Sequence, residues 1–526
     1  MKFKLREFVR IFAALCPALF LNGCTKQTDQ SFRFLQVVDA YQGAIEVNNK
    51  VDLLWVVDNS ASMDVSQDRL RRGFQTFADK YLKPSWDIRM AVITTDTYMA
   101  DRAFSAYLQT VIPGTDNWVS PYISSRLETV GNPSWNPNLL NLKTGAFTKG
   151  ITWGDQVHAW GGNYAKLLPG IHDGPIATLC SEAHSYFFLG ASQCFIRDDQ
   201  TRYSGPSHCL NPAQGETAIT QCVNTVQNDT VHSGRAILST QPPAGVPADA
   251  AWISQISRDF MINSSTGSSG SGSERGFASV LQLLRDNEPS STALFRKGSA
   301  RVIVFLSDED DQTLIIPSTP SSGFGPFSFY LSNCSSKNVD GYSYTLSSCP
   351  DPTRLVPVSS VKAALDQFFL GLDGNQDNNP NYLIVPIVAL SGASIQKLQQ
   401  ERKSDDLAVG TVNTAVDRGD RYLALAELVG EGSFAGDIGN EDYSTVLDKI
   451  GRAMVQQKSQ FTLSQAPDSL QDLQLTIARS DGSLESVPVG SYSVADAILT
   501  ITDLDLVLSL ASNDRILISY IPRTIN

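Results

Sequence analysis

The chain has 526 residues, and its 41 lysines and arginines against 54 aspartates and glutamates give a formal net charge of −13. That acidity argues against nucleic acid or an anionic membrane surface as a partner held by charge, and it favours solubility and cation binding. With 42% hydrophobic residues the chain can bury a large core and has room for more than one domain.

The segment from Met1 carries Lys2, Lys4, Arg6 and Arg10 ahead of an apolar run from Ile11 to Leu21, too short to span a bilayer comfortably. This is the pattern of an export signal. It ends in Leu21-Asn22-Gly23-Cys24, which resembles the lipobox of bacterial lipoproteins. The resemblance implies that residues 1–23 are removed and that Cys24 is lipidated and holds the chain on a membrane. Thr25, not Asp, follows Cys24, which implies the outer membrane of a Gram-negative envelope, on either its periplasmic or its outer side. No later stretch has the length and apolarity of a membrane helix, so the acyl chains are the only anchor expected.

Six cysteines remain: Cys180, Cys194, Cys209, Cys222, Cys334 and Cys349. An even number in an exported chain points to three disulfides. Cys334 and Cys349 stand apart from the other four and are expected to pair, while the remaining pairings stay open. No Cys-x-x-Cys occurs, and His158, His172, His184, His208 and His232 have no ligand spacing, which argues against zinc.

Residues 24–48 read as a tether. Val51 to Val57 is a nearly continuous apolar run, as a strand buried on both faces of a parallel sheet requires. Leu70, Phe74, Phe77, Ala78 and Tyr81 then recur at helical spacing, and Ile88 to Ile93 is a second strand. From about residue 96 to 272 the chain is rich in Trp, Cys, Gly, Pro and Asn and reads as a large disulfide-tied insertion. Its aromatic residues suit either a small core of its own or a sugar- or protein-binding face, the former being favoured.

Alternation returns with a helix from Glu274 to Arg285 and a buried strand from Arg301 to Leu306. A shorter insertion, about 311–357, carries Cys334 and Cys349. Beyond it come a helix through Val361, Leu365 and Phe369, a strand from Tyr382 to Leu390, a short helix at Tyr422 to Val429 and a last helix through Val446, Leu447, Ile450 and Met454. Strands separated by helices predict a doubly wound, mostly parallel α/β sheet over residues 49–458. From 459 to 526 the period changes to two (Leu473, Leu475, Ile477; Ile516, Ile518, Tyr520), which predicts a small all-β domain.

Ligand sites of open α/β sheets lie beyond the carboxyl ends of the strands. Asp58-Asn59-Ser60-Ala61-Ser62 sits directly after the first strand. Alternate residues of such a loop can aim a carboxylate and two hydroxyls at one hard cation, which wants about six oxygen ligands. This Asp-x-Ser-x-Ser, between a buried strand and an amphipathic helix, resembles the metal-ion-dependent adhesion site of the von Willebrand factor type A (VWA) family. The resemblance covers roughly Val51 to Gln457 outside the two insertions and implies a VWA-like, Rossmann-like fold. It implies Asp58, Ser60 and Ser62 as ligands, and Asp308 from Leu306-Ser307-Asp308 after a later strand.

Where the family has a threonine before a helix, this chain reads Ser269-Gly270-Ser271-Gly272-Ser273-Glu274, which makes Ser273 the counterpart, with Ser271 next. Ser271 and Glu274 also have the spacing of a capping box. The change of residue leaves a hydroxyl ligand but puts the family's ligand-dependent metal shift in doubt. Glu309, Asp310 and Asp311 read as a solvated acidic loop, and Asp373 to Asn379 as a polar turn and not a calcium loop, since it lacks the required Gly and Glu.

The resemblance implies a divalent cation, Mg²⁺ first and Mn²⁺ or Ca²⁺ next, with one open position filled by a partner's carboxylate. The expected activity is metal-mediated binding of a protein, and less so of a glycan, at the cell envelope. No Gly-x-Ser-x-Gly, His-Glu-x-x-His or phosphate-binding glycine loop is present, so no enzyme is expected. Two rivals stay open: a hydrolase with a histidine base in the cysteine-rich insertion, and a periplasmic scaffold whose metal site is vestigial.

Overall fold

The computed structural model describes residues 41–58, 60, 62–95, 195–197, 203–206, 237–264, 274–286, 293–315, 330–331, 333–346, 349–374, 380–406 and 416–523. In chain order, Tyr41–Glu46 is β1, Lys50–Val57 is β2, Asp64–Tyr81 is α1 and Asp87–Thr94 is β3. An antiparallel pair, β4 (Phe195–Arg197) and β5 (Tyr203–Pro206), precedes β6 (Ile237–Ser239) and α2 (Ala250–Ser264). Next come α3 (Gly276–Asp286), β7 (Ala300–Leu306) and four short strands, β8 (Tyr330–Leu331), β9 (Lys337–Val339), β10 (Tyr342–Tyr344) and β11 (Cys349–Pro350). Then follow α4 (Val358–Asp373), β12 (Tyr382–Val388), α5 (Gly392–Asp406), α6 (Asp420–Val429), β13 (Gly436–Asp437) and α7 (Ser444–Gln456).

The central sheet has six strands in the order β13-β12-β7-β2-β3-β6. All neighbours are parallel except the short edge strand β6, which runs against β3. β7 and β12 are buried at every position and β2 at every position after Lys50, as strands covered on both faces must be. Register separates the two faces. Trp55 pairs with Val304, one residue before Phe305, so Trp55 and Phe305 point to opposite sides. Trp55 meets Phe260 of α2 edge to face at 5.3 Å, and Phe260 stacks on Phe74 of α1 at 3.6 Å. On the other side Phe305 packs on Tyr422 of α6 at 4.8 Å and on Phe277 of α3 at 5.7 Å.

Some boundaries differ from the sequence reading. Tyr41–Glu46, read as the end of a tether, is a strand that pairs with the last strand of the chain. Residues 237–264, read as part of the large insertion, supply β6 and α2 to the central sheet and its helical layer. The sequence pattern does not announce helix α5, because among its described residues Ile395 and Leu398 are the apolar core positions, too few to print an apolar stripe.

The C-terminal region adds β14 (Gln460–Thr462), β15 (Gln474–Ala478), β16 (Leu484–Ser486), β17 (Tyr492–Ala495), β18 (Ile498–Ile501) and β19 (Arg515–Tyr520). They form two antiparallel sheets, β1-β19-β15-β16 and β14-β18-β17. Leu475, Ile477, Ile516, Ile518 and Tyr520 are buried, in keeping with the period of two. No helix among the described residues is long and apolar enough to cross a membrane.

A disulfide joins Cys334 and Cys349, as expected from sequence. Cys24, Cys180, Cys194, Cys209, Cys222 and the five histidines lie outside the described residues. Asp373, read as the start of a polar turn, has a structural task at the other end of the sheet. Its carboxylate holds the guanidinium of Arg301 at 2.6 and 2.7 Å and accepts the Gly298 N–H at 2.8 Å. Arg301 is fully buried. Removing one partner of such a pair strands a charge in the core, so Asp373→Ala should cost about 3–5 kcal/mol in urea unfolding. Asp373→Asn, which keeps an acceptor, should cost less; equal losses in the two variants would mean that the ion pair contributes nothing.

Candidate functional site

β2 and β7 are parallel neighbours in exact register, Val57 opposite Leu306, so the residues that follow them leave the sheet side by side. The Asp58 N–H still donates to the Leu306 carbonyl at 2.9 Å, continuing the ladder by one bond. Asp58 and Asp308 are thereby brought to the same edge, and both are buried, at 0% and 1% exposure.

The loop after β2 folds back on its own first residue. Ser60 N–H donates to Asp58 Oδ1 at 2.8 Å, and Met63 N–H to the Ser60 carbonyl at 3.2 Å. Gln67, one turn into α1, donates from Nε2 to the Asp58 carbonyl at 2.9 Å. The Ser60 and Ser62 hydroxyls stand 3.1 Å apart, and the Ser62 hydroxyl donates to Asp308 Oδ1 at 3.2 Å. Four of the five expected ligands therefore gather at one point. The fifth, Ser273, lies outside the described residues, as do Ser271, Asn59 and Ala61.

The sequence pattern assigns no role to Ser307, which lies between Leu306 and Asp308. Its hydroxyl donates to Asp58 Oδ2 at 2.7 Å, which fixes the carboxylate from the β7 side. A hydroxyl next to an assigned ligand, on the same short loop, was the available signal.

The loop that should carry Ser273 enters helix α3, and its neighbour Glu274 is fully buried and accepts the Thr95 hydroxyl at 2.9 Å. Glu274 precedes the helix by two residues and does not serve as the acidic half of a capping box. The first helical amides are capped from a distance: Phe277 N–H by Asp311 Oδ2 at 2.9 Å and Ala278 N–H by the Thr313 hydroxyl at 3.0 Å. Gly276 lets this terminus close on α6, since a Cβ there would lie 2.5 Å from the Tyr422 hydroxyl oxygen.

The acidic run after Asp308 is not the solvated loop expected. Asp311 is buried and pairs with Arg421 at 3.3 Å, and Glu309 is buried and accepts from Gln312 Nε2 at 3.1 Å. Asp310 accepts the N–H groups of Arg421 and Asp311 at 2.8 and 2.9 Å. The loop is folded inward because its carboxylates cap α3 and dock α6, a task invisible to a reading by charge alone.

Burial sets the electrostatics. The Asp58 carboxyl is pushed up from its usual value to about 7, first by desolvation and then by the charge of Asp308, against the lowering effect of the Ser60 and Ser307 hydrogen bonds. Among the described residues no three His, Cys, Asp or Glu side chains gather at metal-binding spacing. The donor set here is instead two carboxylates completed by two or more hydroxyls, all hard oxygens, which suits Mg²⁺, Mn²⁺ or Ca²⁺ and not zinc.

No family model matches the sequence, and no curated protein matches it. Solved structures similar to the chain include the pilus adhesin SpaC from Lactobacillus rhamnosus GG. One structure of it is 8% identical with a TM-score of 0.25, over 91% of this chain and 42% of the adhesin. Another, in an open conformation, is 8% identical with a TM-score of 0.24, over 90% of this chain and 39% of the adhesin. The chain thus spans about two fifths of that adhesin's length, and a likeness at this TM-score bears on neither fold nor function.

Proposed function

We propose that this protein is a lipid-anchored component of a bacterial cell envelope that binds a protein partner through a divalent cation, in a site resembling that of VWA domains. The observation that carries the proposal is the oxygen cluster of Asp58, Ser60, Ser62 and Asp308 at the carboxyl edge of two adjacent parallel strands. The strand order, which runs outward from β2 in both directions, is the topology in which such an edge forms a ligand crevice.

Asp58, Ser60, Ser62 and Asp308, with Ser273 as the further candidate, would hold the cation. When bound, the ion supplies a positive centre able to accept a carboxylate from outside the chain. Ser307 and Gln67 orient Asp58 from two sides, and burial of the carboxylates withholds competing water.

Because the unfolded chain has no such cluster, the cation should stabilise the fold by mass action, by about 2.7 kcal/mol at about 100 times its Kd. Melting temperature should rise with Mg²⁺, Mn²⁺ or Ca²⁺, and the rise should vanish in Asp58→Ala. Capture of a partner from intact envelopes should be lost on chelation and in the same variant, although the variant remains folded. An Asp58→Ala protein that keeps both responses would sink the metal reading.

The pH dependence has a definite sign. Asp58 titrates at its usual value of 3.8 when unfolded and at about 7 in the metal-free fold. Its protonation therefore favours the fold fully below pH 3.8, and that contribution is lost as pH rises towards 7. In a chelator, the parent protein should lose stability between pH 4 and 7 relative to Asp58→Asn, and saturating cation should remove the difference. Parallel pH curves in the chelator would refute the assignment.

Lipidation at Cys24 rests on the resemblance to the lipobox. Cys24→Ser should move the protein from the membrane pellet to the soluble fraction, whereas retention in the pellet would require another anchor.

A further inference from the structure

The acidic loop that follows Asp308 also lines a cavity. Residues of the β8 to β11 segment line the same cavity, whose volume is about 310 Å³. Leu331, Leu346, Pro350 and Leu355 supply its apolar wall, and Asp310, Asp311, Asp417, Lys337 and Arg421 its polar floor.

The charges of the floor are unevenly matched. Asp311 pairs with Arg421 at 3.3 Å, and Asp417 pairs with Lys337 at 2.5 Å while accepting the Tyr344 hydroxyl at 2.6 Å. Asp310 has two backbone N–H donors, both on Oδ1, and no ion pair among the described residues. Asp310 lines the cavity, and its Oδ2 has no hydrogen bond among the described residues. A mostly apolar cavity of this size, lined also by a carboxyl group without an ion pair among the described residues, is complementary to a flexible apolar stem that ends in a cation.

We propose that this cavity receives a lysine side chain of a protein partner, its methylenes against the leucine wall and its ammonium on Asp310. The site goes beyond the metal reading and does not depend on it. The main chain connects the two, since Asp310 follows Asp308 by two residues and Asp417 N–H donates to the Asp308 carbonyl at 3.0 Å. A partner surface that offers a carboxylate and, nearby, a lysine would engage both.

The probe is N-acetyl-lysine methylamide, with N-acetyl-norleucine methylamide as the uncharged control, observed by saturation-transfer NMR on the full chain in a chelator. The lysine probe should bind and the control should not. Asp310→Asn should weaken the lysine probe by about tenfold or more. Lys337→Met removes the floor's own lysine, frees Asp417, and should tighten the probe. Asp58→Ala should leave it unchanged, which separates this site from the cation site. Equal binding of the two probes, no binding of either, or a Lys337→Met protein that binds more weakly than the parent while melting at the same temperature would overturn the proposal.

Discussion

Two carboxylates buried side by side are the constraint around which this molecule is arranged. Asp58 and Asp308 are nearly inaccessible to water, and the sheet forces them together because Val57 and Leu306 are paired in parallel register. Water cannot screen them there, so their repulsion and desolvation must be met by protonation, by hydroxyl and amide donors, or by a cation. The hydrogen bonds of Ser60, Ser62 and Ser307 meet part of that cost, and the residue shows in an Asp58 carboxyl that holds its proton to about pH 7.

The surrounding architecture keeps the pair from relaxing apart. β2 and β7 are the two middle strands of the sheet, locked on one face by Trp55, Phe74 and Phe260 and on the other by Phe305, Phe277 and Tyr422. The loop after β7 is pinned in turn, since Asp311 caps α3 and pairs with Arg421 of α6. A cation, if one binds here as proposed, would find Asp58, Ser60, Ser62 and Asp308 already gathered, so little ordering entropy would oppose it.

The parts of the fold visible in sequence were those with a strong period. Val51 to Val57 and Arg301 to Leu306 announce buried parallel strands, and Leu70, Phe74 and Phe77 announce the face of α1. Asp58, Ser60, Ser62 and Asp308 were legible because a motif followed a strand end. Hidden were the elements whose partners are remote in sequence: β1, whose mate is β19, and β6 with α2, which sit after a long stretch of different composition. The acidic run at Glu309 to Asp311 misled for the same reason, because its meaning depends on Arg421, Phe277 and Thr313 and not on its own charge.

The most direct test of the central claim is the position of the ion itself. Crystals of the full chain soaked in Mn²⁺ should show one strong anomalous peak within coordination distance of Asp58, Ser60, Ser62 and Asp308, and none there in Asp58→Ala. A peak elsewhere with this site empty, or the two carboxylates seen sharing a proton in saturating Mn²⁺, would contradict the account.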